Sequence, residues 1–531
     1  MNFYSSFKTE EVYEAILNFK SGKAAGIDNL TNEFLKAGCC DNLLNLNSIA
    51  FNAAYSSGCL PDDLNTSVLI PIPKSDKISS PSDYRPISIS TPLDNLFEYL
   101  LLTRMSSIKN ISNNQFGYRD KTSCKNAVFI ANEAISLYDD NISNMHVISL
   151  DAAKAFDKLW REGLFFRLKD SIDPGAWRLL FNYYSQSKVV VKLDGSFSKP
   201  FNTTQGIKQG GILSGYLFNF FMDFLLQKCI DLNIGALIGK NNVSCLAYCD
   251  DILLLSPVKS QMNSLLECCF DFAVSWKLKF NPNKSISYSL RTPNDASFII
   301  HGIKIPVTLD GFIYLGMPIG NHEFVANHFS LKFAKVEKSF YALRGLGCRT
   351  KMLAPKSIGF IYKQYCQSIS KYGFENLTLD KKNLHDLNVR QNILLKHILG
   401  IGTDCRTTPL MQSLKVEQMN QIYLKHKLFG IKQFLNNPLS QSTFQFLSLF
   451  YQGKPKINKR SFFYQLKDLE EFVNMKVDFN SLRVAQNKLD KLFTSDDSEL
   501  LERIAYIFNR YENGFIYTAS KELESCLSTY R

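Results

Sequence analysis

The chain combines short apolar runs separated by polar turns with a later region of helical periodicity. Apolar, β-prone runs over 67–73 and 145–150 predict short strands within a mixed region that extends over about 60–320. Beyond it, apolar residues recur at 4-3-4-3 spacing and predict an amphipathic helix that ends near Gly345 and Gly347. The apolar positions of this helix are Phe329, Phe333, Val336, Phe340 and Leu343. The pattern indicates an α+β region followed by helices to the end of the chain.

Composition excludes several classes of protein. Apolar residues make up 45% and charged residues 21% of the 531 residues, which is too apolar for a disordered chain. No uninterrupted apolar run reaches the length of a membrane span, and the first 14 residues are polar without a basic leader. Thirteen cysteines at irregular spacing argue against a zinc knuckle and against a secreted disulfide framework. We therefore expect an intracellular protein with no membrane partner, in the cytoplasm, the nucleus or both.

Positive charge is concentrated in one part of the chain. The formal net charge is +12. Residues 321–460 hold 22 Lys and Arg against 7 Asp and Glu, whereas residues 461–531 hold 9 against 12. The basic segment favours a polyanionic partner such as a nucleic acid, and a solvated basic surface is the alternative.

Three aspartates end apolar, β-prone runs. The segment 245–255 predicts a tight hairpin with Asp250 and Asp251 at its tip, and Asp151 follows the strand at 145–150. A solvent-facing turn is the alternative for the hairpin taken alone. Strand ends lying side by side would gather the carboxylates, whose repulsion a cation must offset. Hard oxygen ligands select Mg²⁺ or Mn²⁺, and two ions about 3.5–4 Å apart would suit phosphoryl displacement.

With these residues identified, an ordered series of motifs resembles the reverse transcriptases of non-LTR (LINE-type) retrotransposons. The motifs are GID at 26–28, IPIPK at 70–74, YRPIS at 84–88, QFGYR at 115–119, DAAKAF at 151–156, QGGILS at 209–214 and YCDD at 248–251. Their order over about 300 residues is far more specific than the aspartate pair alone.

The resemblance implies a right-hand polymerase of fingers, palm and thumb, α+β in class, with an all-α C-terminal extension. It implies N-terminal helices and fingers at 1–144, a palm with interleaved fingers elements at 145–320, a helical thumb at 321–400 and a helical extension at 401–531. It leaves open whether the chain is a fragment, a truncated copy without an endonuclease, or an intact short protein.

By resemblance, Asp151, Asp250 and Asp251 are the catalytic and metal-binding residues, and two Mg²⁺ or Mn²⁺ ions are the cofactors. The resemblance assigns the metal ions to Asp151 and Asp250 first, and Asp251 completes the acidic tip. The reaction implied is attack of a primer 3′-hydroxyl on the α-phosphate of a dNTP. Lys284 could protonate the leaving pyrophosphate, or it could be an ordinary exposed lysine.

The resemblance also implies a dNTP-binding set, which consists of Lys74, Arg85, Phe156, Gln209 and Gly210. Lys74 and Arg85 would hold the triphosphate, and the ring of Phe156 would exclude a 2′-hydroxyl and so select deoxynucleotides. A structural salt bridge is the alternative for the two cations, and an ordinary core position is the alternative for Phe156. Gln209 and Gly210 begin a glycine-rich loop that lets the backbone approach the nascent base pair.

Three details of the motifs bear on the structure. Gly215 replaces the proline that is usual after the serine of the QGGILS motif, and Gly leaves more backbone entropy to lose there. Cys249 stands where alanine or another small residue is commoner. Ser214 is expected to cap the helix that follows it.

The function implied is that of an RNA-directed DNA polymerase of a non-LTR retrotransposon, with an RNA template, a DNA or RNA primer and dNTPs as partners. An assembly with the element's own RNA is a further implied partner. The main alternative is a catalytically inactive remnant that only binds nucleic acid. A group II intron maturase would carry an intron-binding domain, which the sequence lacks, and an RNA-dependent RNA polymerase is opposed by Phe156.

Overall fold

A computed structural model of the chain describes residues 6–465 apart from 62–63, 75–77, 293–296, 346, 349–351 and 453. Helices and strands are mixed as far as Gly320 and helices follow, which confirms the predicted α+β content. Residues 466–531, the end of the predicted all-α extension, lie outside the described part. Among the helices that are described, none is both long and apolar enough to cross a bilayer. The described cysteines are free thiols.

The strands are short. They are β1 (Thr66–Pro73), β2 (Tyr84–Ile89), β3 (His146–Asp151), β4 (Lys188–Leu193), β5 (Ser196–Phe197), β6 (Phe201–Asn202), β7 (Leu237–Ile238), β8 (Asn241–Asn242), β9 (Cys245–Tyr248), β10 (Asp251–Ser256), β11 (Ile286–Ser289), β12 (Ile299–Ile300), β13 (Ile303–Lys304), β14 (Val307–Thr308), β15 (Gly311–Tyr314) and β16 (Met317–Gly320).

The helices are unevenly distributed and become continuous after β16. They are α1 (Thr9–Leu17), α2 (Asn32–Ala37), α3 (Asp41–Ser57), α4 (Pro92–Thr103), α5 (Cys124–Asp140), α6 (Ala155–Lys158), α7 (Arg161–Leu168), α8 (Pro174–Ser185), α9 (Ser214–Asp231), α10 (Lys259–Ser275), α11 (His322–Gly345), α12 (Pro355–Ile361), α13 (Ser368–Lys371), α14 (Lys381–Leu399), α15 (Thr407–Leu414), α16 (Met419–Phe434) and α17 (Pro438–Tyr451).

The central sheet has the strand order β14-β11-β3-β10-β9, and its strands β3 and β10 are buried on both faces. Alternate residues of β3 and β10 enter different cores, as the two-residue period of a strand requires. Leu150 and Ile252 face the core built with α9 and α10, whereas Val147 and Leu253 face the core that contains α5. This double burial explains why both strands are continuous apolar runs in the sequence.

A second sheet has the strand order β2-β1-β4-β5, and β6 also pairs with β4. β1 and β2 are antiparallel, with Pro71 opposite Pro86 and Ile72 opposite Arg85. On its other edge β1 pairs with β4 in parallel. The predicted strands at 67–73 and 145–150 are therefore confirmed as β1 and β3.

The helices after β16 cover the second face of the central sheet. α11 buries Phe329, Phe333, Val336 and Phe340, which confirms the predicted amphipathic helix. Further along, the ring of Phe434 on α16 stacks on Phe129 of α5 with centroids 4.0 Å apart. The same hydrophobic core runs from the central sheet through α5 to Phe463. The last described helices thus share a core with the sheet.

Replacing Phe129 by alanine should destabilise the whole chain, because the Phe434 ring loses its partner and a cavity opens between α5 and α16. We expect a loss of about 3–5 kcal/mol in the free energy of unfolding, measured by urea denaturation. Phe34→Ala is the control, since Phe34 is 64% exposed and should cost about 0.5 kcal/mol or less. A Phe129→Ala loss as small as that of the control would contradict the shared core.

Candidate active site

The hairpin β9–β10 carries the acidic tip that the sequence predicts. Its loop has two residues, Cys249 and Asp250, between the paired residues Tyr248 and Asp251. Cys249 has φ +58, and a positive φ at the first loop position is typical of the tight turns that suit a twisted hairpin. Asp250 therefore lies at the tip, and Asp251 is the first residue of β10.

The end of β3 lies directly beside this tip. Asp151 pairs with Asp251 across the antiparallel strands, so both side chains project from the same face of the sheet. The backbone of Asp151 is fixed from the other side, because the Asn281 amide donates to its carbonyl at 2.8 Å. Its own amide donates to the hydroxyl of Ser285 at 3.3 Å. The structure thus brings together the three aspartates predicted to be catalytic.

Burial and mutual repulsion disfavour the charged form of all three carboxyls. Burial raises the pKa of Asp251 to about 6, and the charges of Asp250 and Asp151 add to the effect. Burial raises the pKa of Asp250 as well, with Asp151 adding to the rise and Arg85 opposing it. For Asp151, burial raises the pKa, while Lys284 and Lys74 counteract the rise. Negative charge at this strand end exceeds what the neighbouring cations neutralise.

A buried glutamine holds the hairpin in place. The Cys249 amide donates to the side-chain oxygen of Gln115 at 2.8 Å, and the Gln115 amide donates to the Cys249 carbonyl at 3.4 Å. Beside it, the Phe116 amide donates to the Ala247 carbonyl at 2.8 Å. The sequence contained Gln115 in the QFGYR motif but offered no role for it, because its partner is 134 residues away.

Phe156 lies on α6, the short helix that follows β3 and Asp151 in the chain. Its half-buried ring stacks on Phe218 of α9, with centroids 4.4 Å apart and planes at 14°. The ring of Tyr118 lies 6.3 Å away on another side. The ring is held in one orientation while part of it stays accessible.

The loop of Gln209 and Gly210 is tied to the strand β2 and to the helix α6. The Gln209 amide donates to Asp157 at 2.6 Å, and the Ser88 amide of β2 donates to the Gln209 carbonyl at 2.8 Å. Gly210 has φ +121, and a Cβ on it would stand 2.6 Å from the Ser88 carbonyl oxygen. Only glycine fits at this position without displacing β2.

Sequence comparison identifies the segment that contains this site. Residues 72–319 match the family described as reverse transcriptase (RNA-dependent DNA polymerase). This segment is similar to reverse transcriptase domains. The match includes Asp151, Asp250 and Asp251, and it confirms the class predicted from the motifs.

Curated relatives extend the similarity beyond the domain. The probable RNA-directed DNA polymerase from transposon BS of Drosophila melanogaster is 25% identical over 441 residues, 79% of this chain and 47% of the relative. The RNA-directed DNA polymerase from mobile element jockey of the same species is 23% identical over 442 residues, 78% of this chain and 46% of the relative. These names confirm the predicted resemblance to non-LTR retrotransposon enzymes. The chain spans about half the length of these relatives.

Among solved structures, apo telomerase from Candida tropicalis aligns with 78% of this chain and 71% of its own. The sequence identity is 9% and the TM-score is 0.38, which is too low to bear on function.

A buried polar network lies beneath the Gln209 loop. Lys208 forms a salt bridge with Asp94 at 2.9 Å, and both side chains are almost fully buried. The Tyr183 hydroxyl lies 2.6 Å from Asp94 and 2.7 Å from Glu98. Glu98 accepts a hydrogen bond from the Leu213 amide at 3.0 Å, and burial together with Asp94 raises its pKa. The network fixes both ends of the segment 208–213.

This network was missed by sequence reasoning, although one signal was present. Asp94 and Glu98 are spaced four residues apart on an otherwise apolar helix, so they share a face. Acidic side chains on a buried helix face need a positively charged partner to offset the cost of burying their charge. The sequence does not reveal that this partner is Lys208.

The predicted cations lie around the carboxylates without contacting them. Lys74 and Arg85 are exposed at the same end of the β1–β2 hairpin. The Lys74 ammonium donates to the Ser82 carbonyl at 3.0 Å. Its charge acts on Asp151 and Asp157, and that of Arg85 acts on Asp250.

The expected cap of α9 is wrong by one residue. Ser214 is the first residue of the helix, and Leu213 precedes it with backbone angles that are already helical. No side-chain cap forms there, because leucine has no side-chain hydrogen-bond acceptor.

The donor chemistry of the three aspartates fits a divalent cation. All three present carboxylate oxygens, which are the ligands that Mg²⁺ and Mn²⁺ prefer. Their raised pKa values indicate negative charge that lacks full compensation. In the part of the chain described, no three His, Cys, Asp or Glu side chains already form a ready-made ligand set.

Asp251→Asn should stabilise the fold at pH 7 in the absence of divalent ions, because it removes a buried charge that Asp250 and Asp151 repel. We expect a gain on the order of 1 kcal/mol in the free energy of unfolding. A carboxyl whose pKa is raised from 3.8 to about 6 costs stability only where it is ionised in the unfolded chain. The gain should therefore shrink as the pH falls from 6 to 4. Thermal unfolding at several pH values tests this, and a loss of stability at pH 7 would contradict it.

Gly210→Ala should destabilise the fold more than an alanine at another glycine of positive φ. Gly195, with φ +82 and no atom within 4 Å of a built Cβ, provides the control, Gly195→Ala. Both substitutions place alanine in a strained backbone, but only the one at Gly210 meets the Ser88 carbonyl. We expect an additional loss of at least about 1 kcal/mol, measured by urea denaturation. Equal losses of stability in the two variants would show that β2 can move away from the loop at little cost.

Proposed function

We propose that the chain is an RNA-directed DNA polymerase of a non-LTR retrotransposon, which extends a primer 3′-hydroxyl with dNTPs on an RNA template. The observation that carries the proposal is the pairing of Asp151 with Asp251 across β3 and β10, with Asp250 beside them. The family match supports the same reaction class, since it includes all three residues.

The proposal includes the right-hand arrangement of N-terminal helices and fingers (1–144), palm with interleaved fingers elements (145–320), thumb (321–400) and C-terminal extension (401–531). The change to helices at His322 supports the boundary between palm and thumb. The core that α5 shares with α16 argues that the described part of the extension folds together with the rest.

Two Mg²⁺ or Mn²⁺ ions, when bound, supply the positive charge that activates the primer hydroxyl and neutralises the leaving pyrophosphate. Asp151 and Asp250 are the side chains proposed to hold these ions, and Asp251 completes the acidic set. The hydrogen bonds of Gln115 to Cys249 support this role, because they keep the hairpin tip in position.

Four further residues are proposed to bind the nucleotide. Lys74 and Arg85 receive the triphosphate, and their exposed positive charges beside the carboxylates support this role. Gln209 and Gly210 approach the nascent base pair through a loop that β2 and Asp157 hold.

Phe156 is proposed to select deoxynucleotides. Its ring is fixed against Phe218 and lies five residues after Asp151, so a nucleotide bound at the aspartates would meet its accessible part. A rigid ring cannot move away from a 2′-hydroxyl at low cost, which favours the smaller sugar.

The template and primer are proposed to bind along the basic segment 321–460. Its excess of Lys and Arg would release counterions from a nucleic acid, so binding should weaken steeply as salt rises. The same surface is where an assembly with the element's own RNA would form.

The first experiment is primer extension on an RNA template with Mg²⁺ or Mn²⁺. Extension supports the proposal. Template binding without extension would instead support the alternative, a remnant that only binds nucleic acid.

Asp250→Asn should reduce extension by at least about 100-fold, because it removes a charge proposed to hold the ions. Asp194→Asn, at the exposed β4–β5 turn, is the matched control and should leave extension unchanged. Steady-state extension rates of folded variants measure the effect. Wild-type activity in Asp250→Asn would refute the catalytic assignment.

Phe156→Ala should increase ribonucleotide incorporation relative to deoxynucleotide by about tenfold or more, since the ring no longer blocks the 2′-hydroxyl. The ratio of kcat/KM for matched rNTP and dNTP is the measurement. Phe220→Ala is the control, because Phe220 is also half-buried but lies against Arg167. Unchanged discrimination in Phe156→Ala would show that the ring is an ordinary core residue.

A further inference from the structure

Tyr118 is held in an unusual and exposed position beside the candidate active site. Its backbone has φ +44, a region that aromatic residues rarely occupy, and 53% of its side chain is exposed. The segment before it is anchored on both sides. The Gly117 amide donates to the buried Gln115 side chain at 3.0 Å, and the buried Asn219 of α9 donates to the Gly117 carbonyl at 2.6 Å. Strain that its surroundings maintain in this way is characteristic of functional positions.

The ring of Tyr118 occupies the space that a side chain at position 215 would need. A Cβ built on Gly215 would stand 2.2 Å from both Cγ and Cδ1 of Tyr118. This gives a physical reason for the glycine that replaces the usual proline after the QGGILS motif. Any larger residue at position 215 must displace the Tyr118 ring, so the two positions are coupled by packing.

The surroundings of the ring are those of the proposed nucleotide site. Its centroid lies 6.3 Å from that of Phe156, the proposed sugar gate. The preceding residue Gly117 packs against the acidic hairpin, because a Cβ built on it would stand 2.3 Å from the Cys249 Sγ. Burial raises the pKa of Tyr118, and the nearby Asp250 adds to the rise. Gly215 also connects it to the helix that follows the Gln209 loop. An exposed, rigidly held aromatic ring among these groups is a surface for stacking a base.

We propose that Tyr118 is a specificity-determining residue whose ring packs against the base pair formed between the template and the incoming nucleotide, and that Gly215 is required to seat this ring. The inference rests on the proposed function, because it assigns a role within that same site. A preformed ring contributes to binding without a large loss of side-chain entropy, so it affects nucleotide affinity and base discrimination more than the chemical step.

The test combines four variants in primer extension on an RNA template: Tyr118→Phe, Tyr118→Ala, Gly215→Ala and the double variant with both alanines. Tyr118→Phe keeps the ring and should behave like the wild type. Tyr118→Ala should raise the KM for the correct dNTP by roughly tenfold, with a smaller change in kcat and more misincorporation. Gly215→Ala should have the same defect because it displaces the ring. The double variant should be no worse than Tyr118→Ala alone, since the collision is then absent.

A matched control and a second measurement make the result specific. Tyr13→Ala removes a tyrosine of similar exposure on α1, 44% exposed, and should change nothing. With 2-aminopurine as the templating base, its fluorescence should be quenched in the dNTP-bound complex of the wild type and of Tyr118→Phe. The quenching should be lost in Tyr118→Ala.

Several outcomes would overturn the inference. Unchanged KM, misincorporation and quenching in Tyr118→Ala would do so, as would a defect in Tyr118→Phe equal to that of the alanine variant. Additive losses in the double variant would refute the coupling to Gly215. An active wild type with unaffected variants rejects this inference alone, whereas a wild type that cannot extend a primer rejects the proposed function and this inference with it.

Discussion

The antiparallel register of β3 and β10 is the constraint on which the site depends. It sets Asp151 opposite Asp251, a pairing of like charges that destabilises a sheet. Because both faces of these strands are apolar, the alternation of side chains does not by itself specify the register. Polar contacts fix the end of each strand separately, namely Gln115 on the hairpin loop and Asn281 with Ser285 on Asp151.

The cost of gathering buried carboxylates is offset by the surrounding structure. Two apolar cores pack against opposite faces of the central sheet, and one of them extends to the last described helices. A second buried group of charges, Asp94, Glu98 and Lys208, lies beneath the Gln209 loop, where each carboxyl accepts a hydrogen bond from the Tyr183 hydroxyl and Lys208 pairs with Asp94. In that group the network is satisfied internally, whereas at the strand ends negative charge remains in excess. Such an excess suits a site that binds cations, and it limits stability in their absence.

Local patterns made much of the fold and site predictable. The apolar runs that end in Asp151 and Asp250 predicted strands and a hairpin, because strand and turn formation depend mainly on residues that are adjacent in sequence. The contacts that position these residues could not be predicted, since they join distant parts of the chain. Gln115 and Cys249 are 134 residues apart, and Lys208 and Asp94 are 114 apart. Gly215 was visible as a departure from the motif, but its reason, the ring of Tyr118, required the structure.

We propose that the three aspartates together form one cation site. Calorimetric titration of Mn²⁺ into the folded chain tests it directly, with Asp151→Asn, Asp250→Asn and Asp194→Asn as variants. We expect saturable binding in the wild type and in Asp194→Asn, and a loss of that binding in the other two variants. Equal Mn²⁺ binding by the wild type and by Asp151→Asn would contradict it.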